Sequence, residues 1–184
     1  MKRILLLLLF FNLYFLNHTQ ANPLNDFDVE KWSEETGKIE ALKHTEKKWS
    51  KKIKKHAAEQ NAIKFIPLFK AIIVVESDGK SKKENKNTGA IGLMGITPIA
   101  SKEVGETAKN LLDPDKNIRI GIKFFRQMSK KFDHDLESTL AAYNSGETDV
   151  RNSLEKTGKL SNLQETREYI IKVLYIAKKA GFKI

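Results

Sequence analysis

A single acidic residue ends a helical stretch that is otherwise strongly apolar. Residues 67–77 read Pro-Leu-Phe-Lys-Ala-Ile-Ile-Val-Val-Glu-Ser. Helical spacing brings three apolar side chains and one carboxyl group onto the same face, namely Phe69, Ile72, Ile73 and Glu76. Pro67 suits the first turn, where a missing N–H is tolerated, and Asp78-Gly79 ends the helix. The pattern therefore predicts a helix that carries Glu76 to a position beside a cleft.

The surroundings of Glu76 determine what its carboxyl group can do. Burial among apolar side chains disfavours the charged carboxylate and so raises its pKa. A carboxyl group that keeps its proton near neutral pH can act as a general acid. The alternative is a carboxylate that turns to solvent from the last turn of the helix. The periodicity alone leaves both readings open.

The N-terminal 21 residues have the pattern of a secretory signal. Basic residues at positions 2 and 3 precede an apolar run over 4–16, and small residues before Asn22 predict cleavage there. An uncleaved membrane anchor is the alternative, but a spanning helix needs about 20 apolar residues. The chain has no cysteine, which excludes a lipoprotein and a disulfide framework. We therefore expect an exported protein, periplasmic or associated with the cell wall.

The charge of the chain points to an anionic partner. The 184 residues include 33 basic and 23 acidic ones, a formal net charge of +10. In an exported protein this suits a cell-wall polymer, a membrane surface or nucleic acid, although a generally lysine-rich composition would give the same sum. No nucleic-acid-binding motif accompanies the lysines, so a nucleic-acid partner is disfavoured.

The periodicity predicts an all-α protein with about six to eight helices and no strand of useful length. We divide it into the signal at 1–21, a polar basic helical lead-in at 22–60 and a catalytic domain at 61–184. Within the lead-in, residues 22–35 lack clean periodicity and are expected to be poorly ordered. A lysine-rich helix follows over 39–60, either a basic arm or a solvated helix with a narrow apolar seam of Trp49, Ile53 and Ala57.

Two segments resemble ligand-binding loops but lack residues that such loops require. The glycine-rich stretch 88–98 lacks the Gly-Lys-Ser/Thr of a phosphate loop, and its glycines indicate close backbone approach. The fragment beginning at Asp113 resembles the start of a calcium loop, but Ile118 and Phe124 stand where glycine and glutamate are needed. The histidines are too scattered for a zinc pattern. The sequence therefore predicts no metal and no cofactor.

Five short motifs occur in an order that resembles one family. They are Ala71-Ile72-Ile73-Val74-Val75-Glu76-Ser77, Gly89-Ala90-Ile91-Gly92-Leu93-Met94, Asp113-Pro114 with Asn117-Ile118 and Gly121, Ala141-Ala142-Tyr143-Asn144-Ser145-Gly146, and Arg167-Glu168-Tyr169-Ile170. Together they closely resemble the soluble lytic transglycosylase (SLT) domain of the lysozyme-like superfamily. The resemblance covers about residues 65–180.

This resemblance implies a peptidoglycan lytic transglycosylase with a lysozyme-like fold. Such an enzyme cleaves the β-1,4 bond between N-acetylmuramic acid and N-acetylglucosamine and closes a 1,6-anhydro ring. Glu76 matches the family's single catalytic acid, which acts first as acid and then as base. The alternatives are a goose-type-like lysozyme that uses water, and a non-catalytic wall-binding protein.

The resemblance also assigns substrate-binding residues, which are Ser77, Met94, Gly95, Tyr143, Asn144 and Tyr169. Each has a structural alternative: a helix-end hydroxyl for Ser77, a gap filler for Met94, core aromatics for the two tyrosines and a turn residue for Asn144. Gly95 departs from the family, where glutamine is usual. One polar contact with sugar is therefore expected to be absent or supplied elsewhere.

The implied partner is the glycan strand of peptidoglycan, bound by a monomer. The small size, without wall-binding repeats, suggests local opening of the wall. We therefore expect a specialised enzyme that serves an envelope-spanning machine for secretion or conjugation.

Overall fold

The computed structural model describes residues 27–160 and 164–183, and the regular secondary structure of this part of the chain is helical. The eight α-helices are α1 (Val29–Glu35), α2 (Lys38–Glu59), α3 (Ile66–Ser77), α4 (Pro98–Glu103), α5 (Pro114–Lys131), α6 (Leu136–Ser145), α7 (Glu147–Thr157) and α8 (Gln164–Lys179). The described residues form isolated β-bridges but no strand. The prediction of an all-α protein is confirmed.

Helix starts follow from short polar residues placed just before them. Asp28, Thr97, Asp113 and Asp135 each accept a hydrogen bond from the backbone N–H three residues later. Such caps satisfy donors that a helix leaves unpaired at its N-terminus. Proline occupies the first turn of α3, α4 and α5, as the sequence predicts.

Helix α3 is the centre of the molecule. It packs mainly against α2 and α8, so it is covered from more than one side. Phe69, Ile72 and Ile73 have no exposed surface, as predicted, but neither do Leu68 and Val74 on other faces. The helix that carries Glu76 is therefore a core helix with its C-terminal end near the surface.

Helix α2 is attached to this core by a narrow seam. Trp49, Ile53 and Ala57 are buried, and the Trp49 indole donates a hydrogen bond to the carbonyl of Gly79 at 2.9 Å. Several lysines of α2 face outward. The predicted apolar seam is confirmed, and the core is continuous across residues 60 and 61. The domain division drawn at that point stays a prediction.

The expectation that residues 22–35 are poorly ordered is wrong for the part that the structure describes. Asp28 caps α1, and the helix packs against α8. Its Trp32 lies 5.5 Å from the ammonium group of Lys172, which anchors the helix through a cation–π contact. Periodicity missed α1 because the helix is short and is held by contacts distant in sequence.

The predicted signal, residues 1–21, lies outside the described residues. Within the described ranges, no helix has the length and apolar character needed to cross a membrane.

Candidate active site

Glu76 occupies the last turn of α3, two residues before Asp78, which ends the helix. Asp78 adopts a left-handed conformation with φ +53°, and this turns the chain away. Glu76 is half-buried, and desolvation raises the pKa of its carboxyl group from 4.5 to about 7. A contact with Tyr169 and the charge of Lys83 act in the opposite direction and lower that pKa. The predicted buried acid is therefore present at the surface end of a core helix.

The glycine-rich segment, residues 88–98, forms a tight loop over the carboxyl group of Glu76, the glycine loop. Ile91 and Ile96 exchange backbone hydrogen bonds at 3.1 and 2.9 Å. Between them Gly95 has φ +61°, and a Cβ atom built on it would lie 2.3 Å from Oε2 of Glu76. Only glycine permits this approach of backbone to carboxyl. The residue that departs from the family pattern thus lies directly against the acid.

Ser77 joins this loop to α3. Its side chain is fully buried, and its hydroxyl lies 2.9 Å from the carbonyl oxygen of Ile73 and 2.8 Å from that of Leu93. The hydroxyl can donate its one proton to either oxygen. This position differs from the expected contact with sugar, because a fully buried hydroxyl between two carbonyls does not face the cleft. Ser77 instead fixes the loop that contains Gly95.

Met94 also contributes through its backbone. Its side chain is fully buried against Gly121, so it belongs to the core and does not form the expected cleft floor. Its carbonyl oxygen accepts a hydrogen bond of 2.8 Å from the hydroxyl of Tyr143. Met94 therefore ties the glycine loop to α6.

Two buried tyrosines stand beside Glu76. Tyr143 is 8% exposed and Tyr169 is 7% exposed, and burial together with the nearby carboxyl group raises the pKa of each phenol well above 10. The Tyr169 hydroxyl lies close enough to Glu76 to lower the pKa of that carboxyl group. The pair nevertheless falls outside strict hydrogen-bond geometry. Both phenols stay protonated; Tyr143 donates its proton to the carbonyl of Met94, and Tyr169 is available as a neutral donor.

Asn144 lies at the rim of the site. Its side chain is exposed, and its Oδ1 accepts a hydrogen bond of 3.0 Å from the Thr166 hydroxyl. Thr166 belongs to the first turn of α8, and Tyr169 follows one turn later. The structure thus brings Gly95, Tyr143 and Tyr169 to Glu76 and places Asn144 nearby.

Sequence reasoning named Asn117 only as part of a family motif and missed its role in organising the glycine loop. Asn117 is fully buried on α5, and its amide donates to the carbonyls of Ile91 and Leu111, each at 2.8 Å. Its Oδ1 accepts a hydrogen bond of 2.8 Å from the backbone N–H of Met94. Its place in the first turn of a predicted helix was readable, but nothing local indicated a partner more than 20 residues away. Lys83 was missed for the same reason.

This arrangement can supply and accept one proton at one place. Burial raises the pKa of Glu76, and Tyr169 and Lys83 are the neighbours that lower it. Asp78, the nearest acid in sequence, is bound by Lys38 at 2.6 Å. A carboxyl group with a pKa of about 7 can act as a general acid and as a general base near neutral pH.

Known proteins resemble this chain in sequence and in fold. A bifunctional muramidase/DL-endopeptidase, CwlT of Bacillus subtilis, is 27% identical over 92 residues, covering 50% of this chain and 24% of that protein. An inactive variant of lytic transglycosylase Slt from Pseudomonas aeruginosa superposes with TM-score 0.63 and 27% identity, over 73% of this chain and 24% of that one. The soluble lytic transglycosylase of Escherichia coli has TM-score 0.63 at 24% identity, over 72% of this chain and 24% of that one.

The chain thus spans about a quarter of the length of each of these relatives. The family described as the transglycosylase SLT domain matches residues 46–165, more than half of the chain, and this range includes Glu76, the glycine loop and Tyr143. The chain belongs to the transglycosylase SLT domain family and has its all-α, lysozyme-like fold.

Proposed function

We propose that this protein is a peptidoglycan lytic transglycosylase with Glu76 as its acid and base. It cleaves the β-1,4 bond between N-acetylmuramic acid and N-acetylglucosamine and leaves a 1,6-anhydro ring on the muramic acid. The observation that carries the proposal is the half-buried carboxyl group of Glu76, whose pKa of about 7 suits both donation and acceptance of a proton.

The reaction proceeds in two proton transfers through the same carboxyl group. Protonated Glu76 gives its proton to the glycosidic oxygen as the bond from that oxygen to C1 breaks. The resulting carboxylate then takes the proton of the C6 hydroxyl of the same muramic acid, and that oxygen bonds to C1. No water is consumed. An intramolecular nucleophile has a high effective molarity, so the reaction requires no second carboxylate.

The neighbours of Glu76 support this cycle. The Tyr169 phenol lowers the pKa of Glu76 and so stabilises the carboxylate, which is the form present between the two proton transfers. The Tyr143 phenol holds the carbonyl of Met94 and so keeps Gly95 against the acid. Both effects are preorganised, because they depend on buried groups that need not move during the reaction.

Hydrolysis is the second candidate, because one relative is named a muramidase. In that case water attacks C1 in place of the C6 hydroxyl, and the product has a reducing end. A non-catalytic binding protein is less well supported. Under that alternative, glycine at position 95 would mark the loss of a catalytic site. The closeness of Gly95 to Glu76, however, requires glycine there.

Mass spectrometry of the released muropeptides tests these alternatives. Purified protein, expressed as the full chain, is incubated with purified peptidoglycan beside the variant Glu76→Gln. We expect anhydro-muropeptides from the wild type only. Muropeptides with reducing ends would select hydrolysis, and binding without any product from the wild type would select the wall-binding alternative.

The setting of the enzyme is a separate proposal. The signal-like sequence of residues 1–21 supports export to the periplasm or cell wall, and the net charge of +10 suits an anionic polymer. We propose that a monomer opens the wall locally for a secretion or conjugation machine. A deletion strain should assemble such a machine poorly, and normal assembly of every such machine would contradict this role.

A further inference from the structure

A pocket of about 270 Å³ opens beside the proposed catalytic acid. It is lined by Trp32, Lys38, Val75, Asn144, Glu165, Tyr169 and Lys172. Val75 directly precedes Glu76, and Tyr169 is the phenol that acts on the carboxyl group of Glu76. The pocket therefore shares a wall with the site. Its volume is close to the lower limit of about 300 Å³ for ligand sites, which suits one small ring.

The outer wall of the pocket comes from segments that the family match does not include. Trp32 and Lys38 precede the matched range of 46–165, and Tyr169 and Lys172 follow it. Helix α1 carries Trp32 to the pocket. Lys38, at the start of α2, donates a hydrogen bond to Asp78 at the end of α3 and so joins this wall of the pocket to α3. The pocket is thus built largely by residues outside the matched range, and Lys38 joins it to the helix that carries Glu76.

Trp32 is the aromatic surface of the pocket. The indole is half-buried, with the ammonium groups of Lys38 and Lys172 at 5.2 and 5.5 Å from its ring centroid. Phe27 lies behind it at 6.4 Å between centroids. These contacts restrict the ring, and Trp32 still lines the pocket, so part of the ring is open to a ligand.

The polar groups around Trp32 offer both donors and acceptors, with charges of both signs. Lys38 is paired with Asp78 at 2.6 Å and Lys172 with Glu168 at 3.3 Å, while Glu165 adds a carboxylate. Asn144 uses its oxygen on Thr166 and so keeps its NH₂ group for a ligand. Because both lysines are paired with carboxylates and Glu165 adds a further negative charge, the pocket does not favour an anionic peptide. Mixed donors and acceptors around an aromatic ring suit a neutral ring rich in hydroxyl groups.

We propose that this pocket is a glycan subsite in which one neutral N-acetylated sugar ring packs on Trp32. Asn144, Glu165 and Lys172 bond its hydroxyl and acetamido groups. The subsite holds the strand beside Glu76 and acts in binding, without taking part in the proton transfers. The inference rests on the proposed function for its substrate class and assigns Trp32 and Lys172 as specificity-determining residues.

Binding can be measured separately from turnover by tryptophan fluorescence. The chain has two tryptophans, and Trp49 is only 6% exposed, so a bound sugar should affect the emission of Trp32. The probe is the tetramer of N-acetylglucosamine, titrated into the full chain with Glu76→Gln. We expect a saturable change that disappears in the double variant with Trp32→Phe. By calorimetry, Trp32→Ala should weaken the tetramer about five- to tenfold.

A matched control lies on the same helix as Lys172. Tyr175 is half-buried under Lys179, at 5.1 Å from ammonium to ring, and neither residue lines the pocket. Tyr175→Ala and Lys179→Met should bind the tetramer as the parent does, whereas Lys172→Met should bind more weakly. Trp32→Phe keeps an aromatic ring for packing, and its thermal unfolding checks that the fold is intact.

The outcomes separate this inference from the proposed function. Equal affinity of Trp32→Ala and Tyr175→Ala for the tetramer would overturn the subsite, even if the wild type cleaves peptidoglycan. A Trp32-dependent response to a free acidic stem peptide, with none to the tetramer, would also overturn it. Trp32-dependent binding of the tetramer by a wild type that releases no product would support the subsite and contradict the enzyme.

Discussion

The backbone of Gly95 lies so close to the carboxyl group of Glu76 that a Cβ atom there would be 2.3 Å from Oε2 and 2.7 Å from Cδ. Real Cβ atoms do not approach other atoms that closely, so a side chain at this position must displace the acid or the loop. The loop cannot shift easily, because Ser77 and Asn117 bond it to α3 and α5. The position of the Glu76 carboxyl group therefore depends on glycine at position 95.

Replacing Gly95 by alanine should remove most of the activity. A displacement of about 1 Å at a reacting group can cost about a hundredfold in rate, and we expect a loss of that order for Gly95→Ala. Release of soluble muropeptides from purified peptidoglycan measures it. Gly95→Gln, which restores the residue usual in the family, should be as poor, because the clash begins at Cβ.

Gly89 provides the matched control. It has φ +72°, similar to the φ of +61° at Gly95, but a Cβ atom there would meet nothing within 4 Å. Gly89→Ala thus introduces the same backbone strain, about 1 kcal/mol, without the collision. It should lose some stability and little activity. Equal loss of activity in the two variants would show that backbone strain, and not the contact with Glu76, sets the requirement for glycine.

The pH dependence of kcat/KM should report the pKa of Glu76. The first proton transfer needs the protonated carboxyl group, so kcat/KM should fall as the pH rises above about 7. The positive charge of Lys83 lowers that pKa, and its removal in Lys83→Gln should move the fall to higher pH. Salt should weaken this difference, since Lys83 is exposed.

Lys82 is the control for this experiment. It is exposed and adjacent in sequence, and it is not among the groups that shift the pKa of Glu76. Lys82→Gln should retain the wild-type profile. If both variants move the profile equally, the effect comes from the net charge of the surface and not from Lys83 acting on the acid.

Local patterns sufficed to predict the frame of this site. The apolar spacing around Glu76 predicted the helix, and the short residues before Pro98 and Pro114 predicted two further helix starts, because these signals depend on near neighbours. The roles of Ser77 and Met94 could not be read in this way. Whether their side chains face the cleft or the core depends on how a loop folds onto α3, which no local spacing encodes.

The outer part of the site was even harder to predict from the sequence. Helix α1 is short, and its place is set by contacts between Trp32 and Lys172, which are 140 positions apart in the chain. A pair of that separation leaves no periodic signal. The expectation that one polar contact with sugar is absent at Gly95 or supplied elsewhere stays a prediction, and the structure adds a steric reason for glycine at that position.

Glu76→Gln should stabilise the protein more at high pH than at low pH. The folded pKa of about 7 exceeds the ordinary value of 4.5, so the folded state resists ionisation of this group. The resulting loss of stability begins as the pH rises through about 4.5 and is complete above about 7, with an upper limit of about 3 kcal/mol. Glutamine is neutral and avoids this loss, as expected for a site that favours function over stability.

Urea unfolding of both proteins at pH 5 and pH 8 measures this effect. The difference in free energy of unfolding between Glu76→Gln and the wild type should grow by about 1 to 3 kcal/mol between the two pH values. Glu155 is exposed on α7, so Glu155→Gln should show no such growth. A difference that is the same at both pH values would mean that Glu76 titrates as an ordinary carboxylate.

Asn117→Ala should impair stability and activity together. The substitution leaves the N–H of Met94 and the carbonyl of Leu111 without their partner and removes one of two donors to the carbonyl of Ile91, so we expect a loss of about 2 to 4 kcal/mol in the free energy of unfolding. Because Met94 precedes Gly95, the loop should also lose its fixed position over Glu76.

Val150→Ala is the control, since Val150 is a fully buried side chain of α7, which packs against α6. At a temperature where both variants remain folded by circular dichroism, Asn117→Ala should release muropeptides at least about tenfold more slowly than Val150→Ala. Equal activity at equal loss of stability would mean that Asn117 supports the fold without positioning the acid's neighbour.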